Sequence, residues 1–167
     1  TSVPTVLNNL VPYDTTQISQ TRVIRFTADS AMVMDGPFYF SDSLFNMGRV
    51  DYTIQLGATE KWKLVNETMV AHPFHIHDVQ FYLLDRSGTP PPPEEQGRKD
   101  VVLIQSGDSI EFITRFEDYA DSTIPYMYHC HILSHEDNGM MGQFIINPSS
   151  SGVLENSATD IHQMYPN

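Results

Sequence analysis

The sequence contains one cysteine, few basic residues and no long apolar run. A single cysteine among 167 residues excludes an internal disulfide, and a chain of this length can bury a core without one, so we expect one domain. No apolar run reaches the roughly 18 residues of a membrane-spanning helix, so we expect no membrane span. Nine lysines and arginines against 21 aspartates and glutamates give a net charge of −12. Such a surface repels nucleic acid and anionic lipid, and it tolerates cationic or neutral small partners.

Apolar residues rarely recur at helical spacing, and most of the chain alternates between apolar and polar residues, as half-buried strands do. Near the C-terminus of the predicted core, for example, Ile110, Phe112 and Phe116 are expected to face inward. Turns rich in Gly, Pro, Asp and Ser separate the alternating segments. The pattern predicts an all-β antiparallel sandwich or barrel, with strands in segments 22–29, 51–57, 61–66, 79–85, 100–108 and 109–116.

Three segments lie outside the predicted core, which we expect to span residues 21–147. Residues 1–20 resemble a linker from a preceding domain, segment 87–100 is a proline-rich loop expected to be exposed, and residues 148–167 are expected to form a C-terminal tail. The first residues contain neither Met nor a basic region followed by an apolar stretch. We therefore expect no signal peptide, and either a mature form or a piece of a longer protein.

Six of the seven histidines fall in two short motifs, and the lone His162 in the tail is expected to be an ordinary surface residue. Both motifs contain the spacing H-x-H, and the cysteine lies inside the second one. Shared spacing of this kind is typical of metal ligands and is hard to explain by packing. The motifs are HPFHIH, with His72, His75 and His77, and HCHILSH, with His129, His131 and His135.

Strand geometry predicts two metal sites on opposite faces of the sheet. Side chains two residues apart project from the same face, so His129 and His131 should point one way and Cys130 the other. His75 and His77 form a matching pair. One site then collects four imidazoles, and the strand that joins Cys130 to His131 can conduct electrons between the sites.

Cys130 needs further ligands, and His72, His135 and Met140 are the candidates. His135 follows far enough for the chain to loop back, and Met140 is favoured over its neighbour Met141 by spacing alone. Two His, one Cys and a weak axial Met form the ligand set of a blue-copper site. Zinc accepts Cys and His too, but has little use for a thioether.

The two motifs, HPFHIH and HCHILSHEDNGMM, resemble the C-terminal copper motifs of multicopper oxidases, a family that includes laccases, bilirubin oxidase and bacterial cuprous oxidases. The segment VQFYLLDRSGTPPPPEEQGRKDVVLIQSGD between them is also similar to that family. The resemblance covers residues 35–147. It implies a cupredoxin-like Greek-key sandwich that forms the last domain of a two- or three-domain enzyme.

The resemblance also implies a role for each ligand. In the family, substrate gives up single electrons near the second type 1 histidine, here His135. They pass through Cys130 and His131 to a trinuclear cluster, where dioxygen is reduced to water. By position, His72, Cys130 and His135 would bind type 1 copper with Met140 axial, His75 would bind type 2 copper, and His77, His129 and His131 would bind the type 3 pair.

The chain departs from the family pattern in three ways. The family's trinuclear cluster uses eight histidines, and this chain supplies only four of them, so we expect no dioxygen reduction without N-terminal cupredoxin domains, from the same precursor or a separate chain. Ser134 stands where many relatives carry a proton-delivering Glu, which leaves Glu136, Asp137 or water for that task. Asp78 stands where Gly is usual.

The reducing substrate is left open by the sequence, with Cu(I), phenols, pigments and aromatic amines all compatible. Asp100 matches a position near the type 1 site in cuprous oxidases, where it either helps bind a cationic substrate or satisfies backbone donors at a strand start. Met32, Met34 and Met47 are either soft Cu(I) contacts or packing residues. The family implies a periplasmic or secreted protein.

Two other functions fit parts of this pattern. A stand-alone blue-copper electron-transfer protein needs one site only, and would leave the four H-x-H histidines without a purpose. A zinc or iron enzyme of the cupin type uses H-x-H ligands, but would not explain the embedded Cys130 or the downstream Met140. The multicopper oxidase domain is therefore the favoured interpretation.

Overall fold

A computed structural model describes residues 11–30, 32 and 34–149 of the chain. These residues form ten strands, one short helix and two turns of 3-10 helix at Thr15–Gln17 and Pro93–Glu95. The elements are β1 Ile18–Ala28, β2 Phe38–Phe40, β3 Tyr52–Gln55, β4 Thr59–Asn66, β5 His72–Ile76, β6 Phe81–Arg86, β7 Val101–Ile104, β8 Ser109–Arg115, β9 Asp121–Cys130, α1 Leu133–Asp137 and β10 Met141–Asn147. No described helix is long and apolar enough to cross a membrane.

The strands form two five-stranded sheets, in the order β2-β1-β4-β8-β6 and β3-β10-β9-β5-β7. The predicted all-β architecture is confirmed, but the expectation of purely antiparallel sheets is wrong for two pairs. β1 pairs with β4 in parallel, and β10 pairs with β3 in parallel. Parallel neighbours need a crossover connection. Here the crossover is provided because the chain forms strands of the other sheet between the two paired strands.

The core lies between the sheets and is built from the inward faces of alternating strands. Ile110, Phe112 and Phe116 are fully buried, which confirms the predicted inward face. Trp62 is also fully buried, and its ring packs against Phe112 of its own sheet and against Tyr52, Tyr128 and Phe144 of the other sheet. Burying each large apolar side chain contributes about 1.5–3 kcal/mol. The sandwich thus provides a rigid frame for the strands that carry the two histidine motifs.

The edges of the predicted core are only partly described. β1 begins at Ile18, so the last residues of segment 1–20 belong to a strand. In the loop at 87–100, Glu95 binds the Arg86 guanidinium, which also binds Asp108, so the loop is tied to the sandwich. The tail beyond Ser149, including His162, lies outside the described residues.

Candidate metal centre

The two histidine motifs lie on neighbouring strands of the second sheet. β5 pairs antiparallel with β9, and Phe74 stands opposite Cys130 while His75 stands opposite His129. Because side chains alternate along each strand, residues of one register row point into the core and those of the next row point away. The structure therefore forms an inner group and an outer group of candidate ligands, on opposite faces as strand alternation predicts.

The inner group consists of His72, Cys130 and His135. The Cys130 Sγ atom lies 3.7 Å from His72 Nδ1 and 3.6 Å from His135 Nδ1, and the two Nδ1 atoms are 3.2 Å apart. Metal–nitrogen and metal–sulfur bonds of about 2.0–2.3 Å place donors around one ion roughly 3.3–3.8 Å apart. The three donor atoms are therefore spaced to fit a single metal ion.

A tight return of the chain after β9 brings His135 and Met140 to Cys130. Helix α1 begins with a hydrogen bond from the His135 N–H to the Ile132 carbonyl, of 2.9 Å. Gly139 then adopts φ of +94°, a conformation that glycine takes without strain. The Met140 N–H donates to the His135 carbonyl, and the Met140 carbonyl accepts from the Cys130 N–H. Met140 is fully buried as a result.

Burial sets the protonation of the inner group. His72 and Cys130 are fully buried and His135 is 7% exposed. Burial, together with the neighbouring His135, lowers the pKa of His72 to about 4, and burial also lowers the pKa of His135. Burial raises the pKa of the Cys130 thiol to about 11. At neutral pH the imidazoles are therefore uncharged and free to bind metal, while the thiol keeps its proton until a metal displaces it.

The outer group consists of His75, His77 and His129, with His131 beside them. The Nε2 atoms of His77 and His129 lie 3.3 Å apart. The ring of His131 has its centroid 5.6 Å from that of His75 and 5.7 Å from that of His129. Four imidazoles thus converge as expected, although His77 and His131 are exposed.

Hydrogen bonds orient two rings of the outer group. His75 Nδ1 lies 2.8 Å from the Asp100 carbonyl, and His129 Nδ1 lies 3.0 Å from the Cys130 carbonyl. Carbonyl oxygens accept only, so each Nδ1 carries the proton and each Nε2 keeps its lone pair for a ligand. The Glu136 carboxylate also lies 3.3 Å from His129 Nδ1. This is the usual way in which a protein orients histidine ligands.

Of the other candidate residues, Asp100 lies beside the outer group and the three methionines lie on the surface. Asp100 contacts His75 of the outer group, and the described residues show no bond between Asp100 and His135. Its predicted role beside the type 1 site therefore stays a prediction. Met32, Met34 and Met47 are 79%, 62% and 85% exposed, so they do not pack in the core of this domain, and Cu(I) contact stays a prediction.

Asp78 is held in an unusual conformation next to the outer group. Its φ is +72°, a region that favours glycine, and its buried Oδ2 atom has no hydrogen-bond partner among the described residues. Burial, with Asp118 nearby, raises its pKa to about 6. Ser134 is exposed, and its carbonyl accepts a hydrogen bond from the Asn138 side-chain amide.

Comparison with known proteins identifies the family. A family model described as multicopper oxidase matches residues 19–150. The chain belongs to the multicopper oxidase family. It is 43% identical over 103 residues to a multicopper oxidase of Staphylococcus haemolyticus, and 43% identical over 110 residues to a laccase of Haloferax volcanii. These alignments cover 59% and 64% of this chain.

Solved structures place this multicopper oxidase chain in the cupredoxin fold. A laccase-like multicopper oxidase from Ochrobactrum superposes with a TM-score of 0.75 at 31% identity, covering 87% of this chain and 34% of that one. The chain spans about a fifth of the length of the curated relatives it matches, 22% and 18%. The fold predicted from the resemblance, a cupredoxin-like sandwich, is confirmed.

Proposed function

We propose that this chain is the C-terminal copper-binding domain of a multicopper oxidase, holding type 1 copper and half of the ligands of a trinuclear cluster. The observation that carries this proposal is that Cys130 belongs to the inner group, while His129 before it belongs to the outer group and His131 after it lies beside the outer group. A zinc site or an isolated blue-copper site needs one group of ligands only. Two groups joined by a single strand are what electron transfer between two copper sites requires.

The residues fit copper at both sites. His72, Cys130 and His135 would hold type 1 copper, and the buried Met140 would supply a weak further ligand. His75 would hold type 2 copper, and His77, His129 and His131 the type 3 pair. Bound copper would supply one-electron oxidation of substrate at the inner group and reduction of dioxygen to water at the outer cluster. Phe38 packs against the rings of His72 and His135, at centroid distances of 4.7 and 4.6 Å, and so excludes water from the inner group.

Cys130 provides two short routes between the groups. One route follows the peptide bond to His131. The other runs from the Cys130 carbonyl through its hydrogen bond of 3.0 Å to His129 Nδ1. Both routes begin at the same sulfur, and both end on rings of the outer group. Electrons that enter at His135 therefore need to cross only one residue to reach a type 3 ligand.

Protons are delivered, in this proposal, by Glu136. Because Ser134 cannot deliver protons as a Glu would, three candidate proton donors remain, namely Glu136, Asp137 and water. Among them, Glu136 has a carboxylate in contact with a cluster ligand, His129. The carboxylate is partly exposed, so it can exchange protons with solvent. Asp137 is exposed and has no side-chain contact with either group among the described residues.

The outer group needs a partner to act. His75 and His77 line a depression that is open to solvent beside Asp78, Asp100 and Tyr126, whereas His131 is exposed and His129 is buried. N-terminal cupredoxin domains would cover this depression and add the remaining four histidines, and the chain alone would not reduce dioxygen. The reducing substrate is small, and its class stays open among Cu(I), phenols, pigments and aromatic amines. The protein would work in the periplasm or outside the cell.

Complementation tests this proposal. Copper-loaded chain is mixed with separately produced N-terminal domains, and oxygen consumption is followed with a phenolic reductant. We expect oxygen uptake in the mixture only, and we expect His77→Ala to abolish it while the thiolate-to-copper band of the inner group persists. Oxygen uptake by the chain alone, or complementation that survives His77→Ala, would contradict the shared cluster.

A further inference from the structure

A buried polar network lies behind His72, on the side away from Cys130. Thr68 Oγ1 lies 2.8 Å from His72 Nε2 and 2.8 Å from Asn66 Oδ1. Asn66, Thr68 and His72 are 1%, 3% and 0% exposed, respectively. No sequence motif indicates this arrangement, because Thr68 and Asn66 precede the HPFHIH motif in an ordinary polar turn. The network matters because it touches the ring nitrogen that does not face the inner group.

Backbone groups fix the orientation of the Asn66 amide. Its Nδ2 atom lies 2.8 to 3.2 Å from three carbonyl oxygens, those of Val70, Ile104 and Gln105. Its Oδ1 atom accepts the Thr68 N–H at 3.0 Å. Reversing the amide would set the NH2 group against an N–H and the oxygen against three carbonyls. Oδ1 is therefore an acceptor facing Thr68, and no other assignment satisfies these buried groups.

The position of Asn66 Oδ1 decides where the Thr68 hydroxyl proton goes. Thr68 Oγ1 lies close to two oxygens that can only accept, Asn66 Oδ1 at 2.8 Å and the Val70 carbonyl at 3.0 Å. The hydroxyl has one proton. If it donated that proton to His72, its oxygen would face two acceptor oxygens in a buried site with no hydrogen between them. The proton therefore goes to an oxygen. The contact with His72 Nε2 is favourable only if that nitrogen carries the hydrogen.

We propose that Thr68, held by Asn66, is a positioning residue that fixes the Nε2–H tautomer of His72. In this tautomer the Nδ1 lone pair points at Cys130 Sγ and His135 Nδ1, at 3.7 and 3.2 Å. The ring is also held between Phe26 and Phe38. The tautomer rests on the hydrogen bonds alone, whereas its use for copper rests on the function proposed above. Hydrogen bonds of this kind orient histidine ligands and raise their basicity.

The first test needs no metal and no variant. The two ring nitrogens of His72 are identified by 15N-edited NMR of the metal-free wild-type protein at neutral pH. We expect a protonated Nε2 and an unprotonated Nδ1. A wild-type His72 with its proton on Nδ1 overturns the proposal directly.

The second test compares three variants loaded with metal. Thr68→Val removes the hydroxyl at nearly constant volume, Thr68→Ser keeps it, and Thr114→Val removes a matched buried hydroxyl that donates to the Gln80 carbonyl and contacts no inner ligand. We expect Thr68→Val to weaken Co(II) binding about 10–100-fold and to shift the Cu(II) thiolate band. Thr68→Ser and Thr114→Val should retain wild-type affinity and band position.

The outcomes separate this proposal from the proposed function. A blue wild-type protein whose affinity and band are unchanged by Thr68→Val would overturn the positioning role and leave the copper site intact. A wild-type protein with no thiolate band on Cu(II) loading would overturn the proposed function, while the NMR result would still decide the tautomer. Equal losses in Thr68→Val and Thr114→Val would show general destabilisation and overturn a specific role for Thr68.

Discussion

Metal binding at the inner group should release one proton from Cys130. Burial raises the pKa of this thiol to about 11, and the thiolate is the form that binds metal. At pH 7, about four pH units below that pKa, removing the proton costs roughly 5 kcal/mol, at about 1.4 kcal/mol per unit. The metal–sulfur bond has to offset this cost, so the measured affinity must depend on pH.

The pH dependence of the metal affinity has a definite sign and holds over a definite pH range. Burial lowers the pKa of His72 to about 4 and also lowers that of His135, so both imidazoles are already neutral above about pH 6.5. The thiol stays protonated up to about pH 11. Between these limits only the thiol loses a proton when metal binds. The association constant should therefore rise about tenfold for each pH unit, with tighter binding at higher pH.

Co(II) titration of the metal-free protein measures both the affinity and the number of protons released. The affinity is determined between about pH 7 and pH 9, and proton release is followed in weakly buffered solution. Cys130→Ser should release no proton and show no thiolate band, while His77→Ala, which changes only the outer group, should behave as the wild type. A wild-type affinity that is flat across this range, with no proton released, would show that Cys130 does not bind the metal as a thiolate formed on binding.

Two further substitutions test the packing and the charge around the sites. Gly142→Ala should lower the free energy of unfolding by about 2–4 kcal/mol, because the added Cβ would overlap the buried Tyr128 ring and disturb its hydrogen bond to Asp51. Denaturant unfolding measures this loss. A loss under about 1 kcal/mol would contradict this packing. Asp78→Gly should stabilise the metal-free domain most above pH 6, because the folded-state pKa of Asp78 is raised to about 6 and its carboxylate is charged there. Its benefit should shrink as pH falls toward the ordinary carboxyl pKa of about 3.9, and a gain that does not change with pH would exclude the charge as its cause.

The separation of the ligands into two groups could be predicted from sequence because it depends on a local property. Side chains of a strand alternate, so the spacing of His129, Cys130 and His131 fixes their faces wherever the strand lies. The same reasoning predicted the buried face of β8. Neither result depends on knowing which strands are neighbours.

Features that depend on long-range pairing could not be predicted in this way. The parallel pairing of β1 with β4, and the register that sets Phe74 opposite Cys130, are decided by how the sheets close. Asp100 lies just before strand β7, whose pairing with β5 brings the Asp100 carbonyl to 2.8 Å from His75 Nδ1. This contact is decided by the position of β7 at the edge of its sheet, next to β5, and not by the local sequence.

Two smaller features were missed for a different reason. The five-residue helix α1 is too short to show a helical apolar period, although it returns His135 to Cys130. Thr68 carries no motif, and its contact with His72 arises from a turn whose hydrogen bonds are visible only in the folded chain.

Copper content and EPR of the isolated chain test whether the inner group alone binds copper through Cys130. We expect one copper per chain at the inner group, with an intense thiolate-to-copper band that Cys130→Ser abolishes, and a total of four coppers for each chain assembled with N-terminal domains. Copper that binds to the isolated chain without any thiolate band, or a band that survives Cys130→Ser, would contradict it.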